Sequence, residues 1–182
     1  MGTRGFTGFV VNGAEKIAYQ QYDSYPSGVG VEVLSFLKAY PELLAKARDL
    51  KVVDENSKPS PADVKALEPW TDLGVSAQST YDWYCLTRLS HGDPAAILTC
   101  GYLLDAHEFA QDSLFCEWGY LIDLDAMTFE VYQGFQKQPH SAGRFAQRES
   151  EGDYYPVALL VSYPLAGLPD EEQFLTDTTG SS

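Results

Sequence analysis

From residue 116 the apolar pattern of this chain changes its period. Cys116, Trp118, Tyr120 and Ile122 alternate with Glu117, Gly119, Leu121 and Asp123, the two-residue repeat of a strand. A turn over 125–128 leads to a partner strand with Phe129, Val131, Gln133 and Phe135 on one face. Residues 156–163 read as a last strand, with Val157, Leu159, Val161 and Tyr163 on one face and Pro164 closing it. At the other end, residues 4–11 and 16–22 read as two strands joined through Asn12-Gly13, a dipeptide suited to a tight hairpin because both positions tolerate positive φ. On the second of these strands Ile17, Tyr19 and Gln21 share one face.

Between the two β regions the apolar spacing is that of helices. Val33, Leu34 and Leu37 mark a helix over 31–39, and Leu43, Leu44 and Ala47 a second over 41–49 with Pro41 in its first turn. Ser60-Pro61 starts a helix of about two turns, Ser79-Thr80-Tyr81-Asp82 opens one running through Leu89, and Asp93-Pro94 caps one over 95–104. The expected fold class is therefore α+β. An antiparallel sheet from the N-terminal hairpin and a C-terminal three-stranded meander is covered by the central helical segment. Residues 1–170 form a single domain in this reading, 139–152 a mobile surface loop, and 171–182 a disordered tail.

Composition narrows the partners. Twelve Lys plus Arg stand against 26 Asp plus Glu, a formal net charge of -14, so the chain has no basic surface with which to displace counterions from nucleic acid. No apolar run is long enough to span a bilayer. Cys85, Cys100 and Cys116 are odd in number and lack metal-type spacing, which points to three thiols in a reducing, cytoplasmic setting.

The site expected from sequence is the turn Tyr22-Asp23-Ser24-Tyr25-Pro26-Ser27-Gly28-Val29-Gly30. Gly28 and Gly30 allow close approach to the main chain, and Ser24 and Ser27 suit the cap of the helix that follows. Free N–H groups at that helix start suit a small polar or anionic ligand. Arg4, Tyr19, Tyr22, Asp23, Tyr25, Gly28, Gly30 and Glu117 are the ligand-binding candidates, with Asp23 expected at the rim of the largest polar pocket. A second class is catalytic, with Cys85 or Cys116 as nucleophile, His107 as base, and Asp23 or Glu117 as orienter. Burial of Cys85 in aromatic core and a helix-terminal His107 are the plainer alternatives. No second histidine follows His107 at the HExxH spacing, so no metal or cofactor is expected.

The segments Gly2-Thr3-Arg4-Gly5, the 22–30 turn, Asp82-Trp83-Tyr84-Cys85-Leu86, Ser113-Leu114-Phe115-Cys116-Glu117 and Gly134-Phe135-Gln136-Lys137 resemble a family of small uncharacterised proteins from bacteria, phages and some fungi. The resemblance spans nearly the whole chain and implies no activity. A fainter one is to the N-terminal nucleophile hydrolases, whose chains also begin at a strand of a central sheet with Cys, Ser or Thr exposed first; Gly2 stands in that place here, followed by Thr3. Two function classes follow: a module binding a small ligand or a partner's side chain, or a hydrolase or transferase with a cysteine or N-terminal nucleophile.

Overall fold

A computed structural model describes residues 2–75 and 82–179. In chain order the elements are β1 (Gly5–Val11), β2 (Ala14–Gln20), α1 (Val31–Ala39), β3 (Lys51–Val53), α2 (Pro61–Ala66), α3 (Trp83–Leu86), α4 (Pro94–Cys100), β4 (Tyr102–Leu104), β5 (Trp118–Asp123), β6 (Thr128–Gln133), β7 (Ala158–Pro164) and α5 (Glu171–Thr179). Short 3-10 segments link several of them. Five strands form one sheet in the order β2-β1-β5-β6-β7, and β3 pairs with β4 in a separate parallel pair. The fold is α+β, as the periodicity predicts.

The N-terminal hairpin turns as its dipeptide requires, with φ of 52° at Asn12 and 76° at Gly13. Both turn N–H groups donate to the Asp125 carboxylate, at 2.8 and 2.7 Å, so the β5–β6 turn holds the β1–β2 turn. The join between the two halves of the sheet is parallel, Gly5 opposite Trp118 and Val10 opposite Asp123, whereas an all-antiparallel sheet was expected. The helical insert carries the chain back to the end of the sheet where β1 began, which makes β5 run alongside it.

Both faces of the sheet are covered, not one. On the helical side Phe9, Tyr120, Ile122, Phe129 and Val131 pack with Val33, Leu34 and Leu37 of α1, Ile97 of α4 and Phe174 of α5. On the other side Phe6, Ile17, Leu121 and Tyr132 pack with Ala110, Phe145 and Val157. The 139–152 segment, expected as a surface loop, delivers that Phe145 ring into edge contact with Phe6 and Tyr132 at 5.7 and 4.9 Å. Arg144 anchors it further by bridging Asp123 (2.5 Å) and Glu130 (2.9 Å).

Three other expectations are corrected. Residues 171–182 were expected as a tail, but α5 occupies Glu171–Thr179. Phe174 is fully buried and stacked on Phe129 at 6.0 Å, and the Tyr163 hydroxyl donates to Asp177 at 2.8 Å. Burying an aromatic side chain of this size contributes about 1.5–3 kcal/mol, enough to hold a short polar helix. The helix expected over 95–104 ends at Cys100, because Gly101 takes the left-handed conformation at φ 81° and the chain continues as β4. On β7 the single apolar face is broken by a bulge: Val131 opposes Val161 while Tyr132 opposes Leu159. One extra residue flips the alternation, so Val157 and Leu159 serve one core and Val161 and Tyr163 the other.

At α2 and α4 the capping chemistry follows the sequence. Ser60 and Asp63 form a reciprocal capping box at α2, and Asp93 caps α4 through the Ala95 and Ala96 N–H groups. The expected cap at Ser79 lies outside the described residues; Asp82 itself caps α3, accepting from the Cys85 N–H at 2.7 Å. No helix of the described residues is long and apolar enough to cross a membrane.

Candidate functional site

The 22–30 turn is built as a packing element. Asp23 takes a left-handed φ of 54°, and its carbonyl accepts from the Val29 N–H at 2.9 Å. The Gly28 N–H donates to the Tyr25 carbonyl at 2.9 Å and the Gly30 N–H to the same carbonyl at 3.5 Å. The N–H groups expected to cradle an anion are thus turned inward onto the turn itself. A Cβ on Gly28 would lie 2.2 Å from the Asp23 carbonyl oxygen, and one on Gly30 3.0 Å from the Tyr120 ring and hydroxyl. These glycines make room for protein atoms. Ser24 is buried, its Oγ has no partner among the described residues, and no side chain caps α1. At the surface the Tyr25 hydroxyl donates to Asp23 Oδ1 at 3.1 Å, which raises the phenol's pKa, while Tyr22 lies half exposed.

Arg4 and Glu117 meet through their main chains, the Glu117 N–H donating to the Arg4 carbonyl at 3.0 Å. The Arg4 guanidinium lies over the exposed Phe115 ring, 5.3 Å from its centroid. The residues nominated from sequence therefore divide among the turn, the β1–β5 end and a third place, where Tyr19 and His107 are found together.

That third place is a cavity of about 520 Å³. β2 contributes Ala18 and Tyr19; the segment after β3 contributes Asp54, Glu55 and Asn56; α3 and the turn after it contribute Tyr84, Thr87, Ser90 and His91. The floor is Ile97 of α4 with Tyr102, Leu103 and Leu104 of β4, and the rim is residues 105–109. Arg4, Tyr22, Asp23, Tyr25, Gly28, Gly30 and Glu117 are not among its lining residues, so Asp23 is not at its rim. Four carboxylates line it, from Asp54, Glu55, Asp105 and Glu108, and no Lys or Arg does so among the described residues.

Its two histidines are held differently. Asp105 Oδ1 accepts from the His107 backbone N–H at 3.0 Å, and Oδ2 from its Nδ1–H at 2.6 Å. Both carboxylate oxygens thereby hold one residue, and in the neutral imidazole Nε2 is the nitrogen that carries the lone pair. His91 is deeper. The Thr87 hydroxyl gives its proton to the Trp83 carbonyl, so it accepts from His91 Nε2–H at 3.1 Å. Burial, helped by the nearby Arg88, lowers the pKa of His91 to about 4, and it is neutral at pH 7. Tyr84 meets the His91 ring edge-on at 5.0 Å, and Tyr19 meets Phe109 in the same manner at 5.1 Å. Burial raises the Tyr19 and Tyr102 pKa values, with Asp63 adding to the effect at Tyr102, so both phenols stay protonated.

The cysteine candidates lie elsewhere. Cys116 is fully buried, its thiol pushed up by burial and by Asp112 and Glu117. Cys85 is buried with its Sγ 3.1 Å from the Asp72 carbonyl, and burial raises its pKa also. Neither lines the cavity that holds His107, and none of the three cysteines is in a disulfide. Among the described residues no cluster of three or more His, Cys, Asp and Glu is arranged for a metal ion.

Sequence reasoning nominated Tyr19 and His107 but missed Asp54, Glu55, Tyr84, His91 and Asp105. The one local signal was Asp105-Ala106-His107, whose spacing lets a carboxylate take both the backbone and the ring N–H of the second residue on. Comparison with protein-family models, with curated proteins and with solved structures gives no match.

Proposed function

We propose that this protein is a binding module whose site is the cavity between β2, β4 and α3, and whose ligand is a small cation or a basic side chain of a partner. The supporting observation is the lining. Four carboxylates, three tyrosine rings and an apolar floor converge on one concavity with no Lys or Arg among its described lining residues, although the Lys51 ammonium lies over the Tyr102 ring, 5.1 Å from its centroid. Carboxylates attract positive charge, and tyrosine faces bind it through their quadrupoles. A concave, largely preformed site with a few convergent polar groups is what small ligands use. The anionic ligand suggested by the 22–30 turn loses its donors to the turn's own carbonyls. A thiol nucleophile gains no support from Cys85 or Cys116, both remote from this lining.

The test is calorimetric titration with n-pentyltrimethylammonium and with hexanoate, a cation and an anion of comparable bulk. The cation is expected to bind and hexanoate not to, with Tyr84→Ala weakening the cation several-fold. Binding of hexanoate, abolished by changes at Asp23 or Gly28 and indifferent to Tyr84, would return the site to the turn.

A further inference from the structure

At the cavity rim His107 Nε2 and Glu108 Oε1 face each other, and no other side chain among the described residues is hydrogen-bonded to either. Nε2 of His107 lies 3.9 Å from Glu108 Oε1, too far for a direct hydrogen bond. The Nδ1–H is committed to Asp105 at 2.6 Å, and the His107 main-chain N–H to the other Asp105 oxygen at 3.0 Å. The Nδ1 bond to Asp105 orients the ring, and in the neutral imidazole it leaves the lone pair on Nε2, the nitrogen nearer Glu108. A single nitrogen at an ordinary hydrogen-bond length of ~2.9 Å from each acceptor fits a gap of that width, and it must carry at least two N–H bonds and welcome negative charge. An alkylammonium group satisfies both conditions; a quaternary ammonium satisfies only the second.

Resting on the cation-binding reading above, we propose that the cavity selects a primary ammonium, held at the rim between His107 Nε2 and Glu108 Oε1, with its alkyl portion directed to the apolar floor of Ile97 and Leu103. Asp105 is the positioning residue. By accepting the Nδ1–H it leaves Nε2 of the neutral ring as the acceptor. Deeper in, His91 has its Nε2–H committed to Thr87 and takes no part. The ammonium can belong to a free alkylamine or to a lysine side chain, which present the same group.

The experiment compares n-pentylammonium with n-pentyltrimethylammonium on the full chain at pH 8. The primary ammonium is expected to bind at least about tenfold more tightly, as hydrogen bonds from a charged donor to the two rim acceptors imply. His107→Ala should erase that preference, and His107→Gln, whose amide oxygen also accepts, should restore part of it. Asp105→Asn should reduce the preference and change the imidazole 15N shifts that report the tautomer. Equal affinity for the two cations, or a preference that survives His107→Ala, overturns the inference and leaves the cavity reading intact. Binding of neither cation overturns the cavity reading itself, and the inference with it. Nα-acetyl-lysine methylamide distinguishes the source: tighter than pentylammonium, it identifies a partner's lysine, and weaker, a free amine, either one supporting the ammonium site.

Discussion

The Tyr120 hydroxyl donates to the Ser24 carbonyl at 2.6 Å, wholly buried, across 96 positions of sequence. Tyr120 stands on β5, in the middle of the sheet, and Ser24 is in the turn that leads into α1. This bond pins the entrance of the first helix to the sheet's central strand, and the glycines around it exist to let the two surfaces close. Burial raises the Tyr120 pKa well above that of a free phenol, so the donor proton is retained across the physiological range.

Gly28→Ala is expected to destabilise the fold by ~1–3 kcal/mol, the usual cost of forcing an extra carbon into a packed site. The clash is with a backbone oxygen, that of Asp23 at 2.2 Å, which cannot swing aside as a side chain can. Urea denaturation measures it; an unchanged midpoint would show that the turn is free to relax and is not the fixed element described.

His91 makes stability depend on pH with a known sign. Its pKa is near 6.5 when unfolded and about 4 in the folded protein, so the unfolded chain takes up the proton first as pH falls. Stability should decline from about pH 6.5 down to about pH 4 and level off below, by up to about 3 kcal/mol from this residue. His91→Gln should flatten that limb, visible when urea midpoints at pH 7 and pH 5 are compared for both proteins. A limb of equal steepness in the variant would assign the effect to other groups.

Phe174→Ala should cost ~3–5 kcal/mol, the range for emptying a buried aromatic site, and a chain stopped at Asp170 should lose more. Thermal melts of the two variants check this. A loss under ~1 kcal/mol would mean that the last helix contributes nothing to the core.

Iodoacetamide at neutral pH should label Cys116 far more slowly in the folded protein than in denaturant, since the thiol is fully buried and its pKa is raised. All three thiols should react once the chain is unfolded, giving three adducts by mass. Rapid native labelling of Cys116 or Cys85, slowed by His107→Ala, would revive the nucleophile reading.

Periodicity and turn chemistry made the strands and the first helix legible because those signals are local: Asn12-Gly13 must turn, and Val33, Leu34 and Leu37 can share only a helical face. What was illegible depended on partners distant in sequence. The bulge on β7 arises where Val131 and Tyr132 meet Val161 and Leu159, and nothing between 157 and 163 announces it. Phe145 looks like a stray aromatic in a polar loop until Phe6 and Tyr132 are placed beside it. The cavity was hidden for the same reason, since its carboxylates come from segments near 54 and 105 and its rings from 19, 84 and 102. The 22–30 turn misled in the opposite direction: glycine, serine and aromatic residues at a helix start mark close approach, and here what approaches is Tyr120 and the Asp23 carbonyl.

The parallel join of β1 to β5 also dictates an order of events. Asn12 and Asp125 are 113 positions apart, so the inner edge of the N-terminal hairpin has no partner until β5 has been synthesised. Phe6 and Phe9 wait beside that open edge for β5 to arrive. Closing so long a loop precedes every contact that rewards it, which places this sheet among slow-folding topologies of high contact order. The interval before closure is when the nascent protein is most exposed to pairing with a neighbour's unfinished edge, and α5, which follows β7 in the chain, seals the helical face only after that hazard has passed.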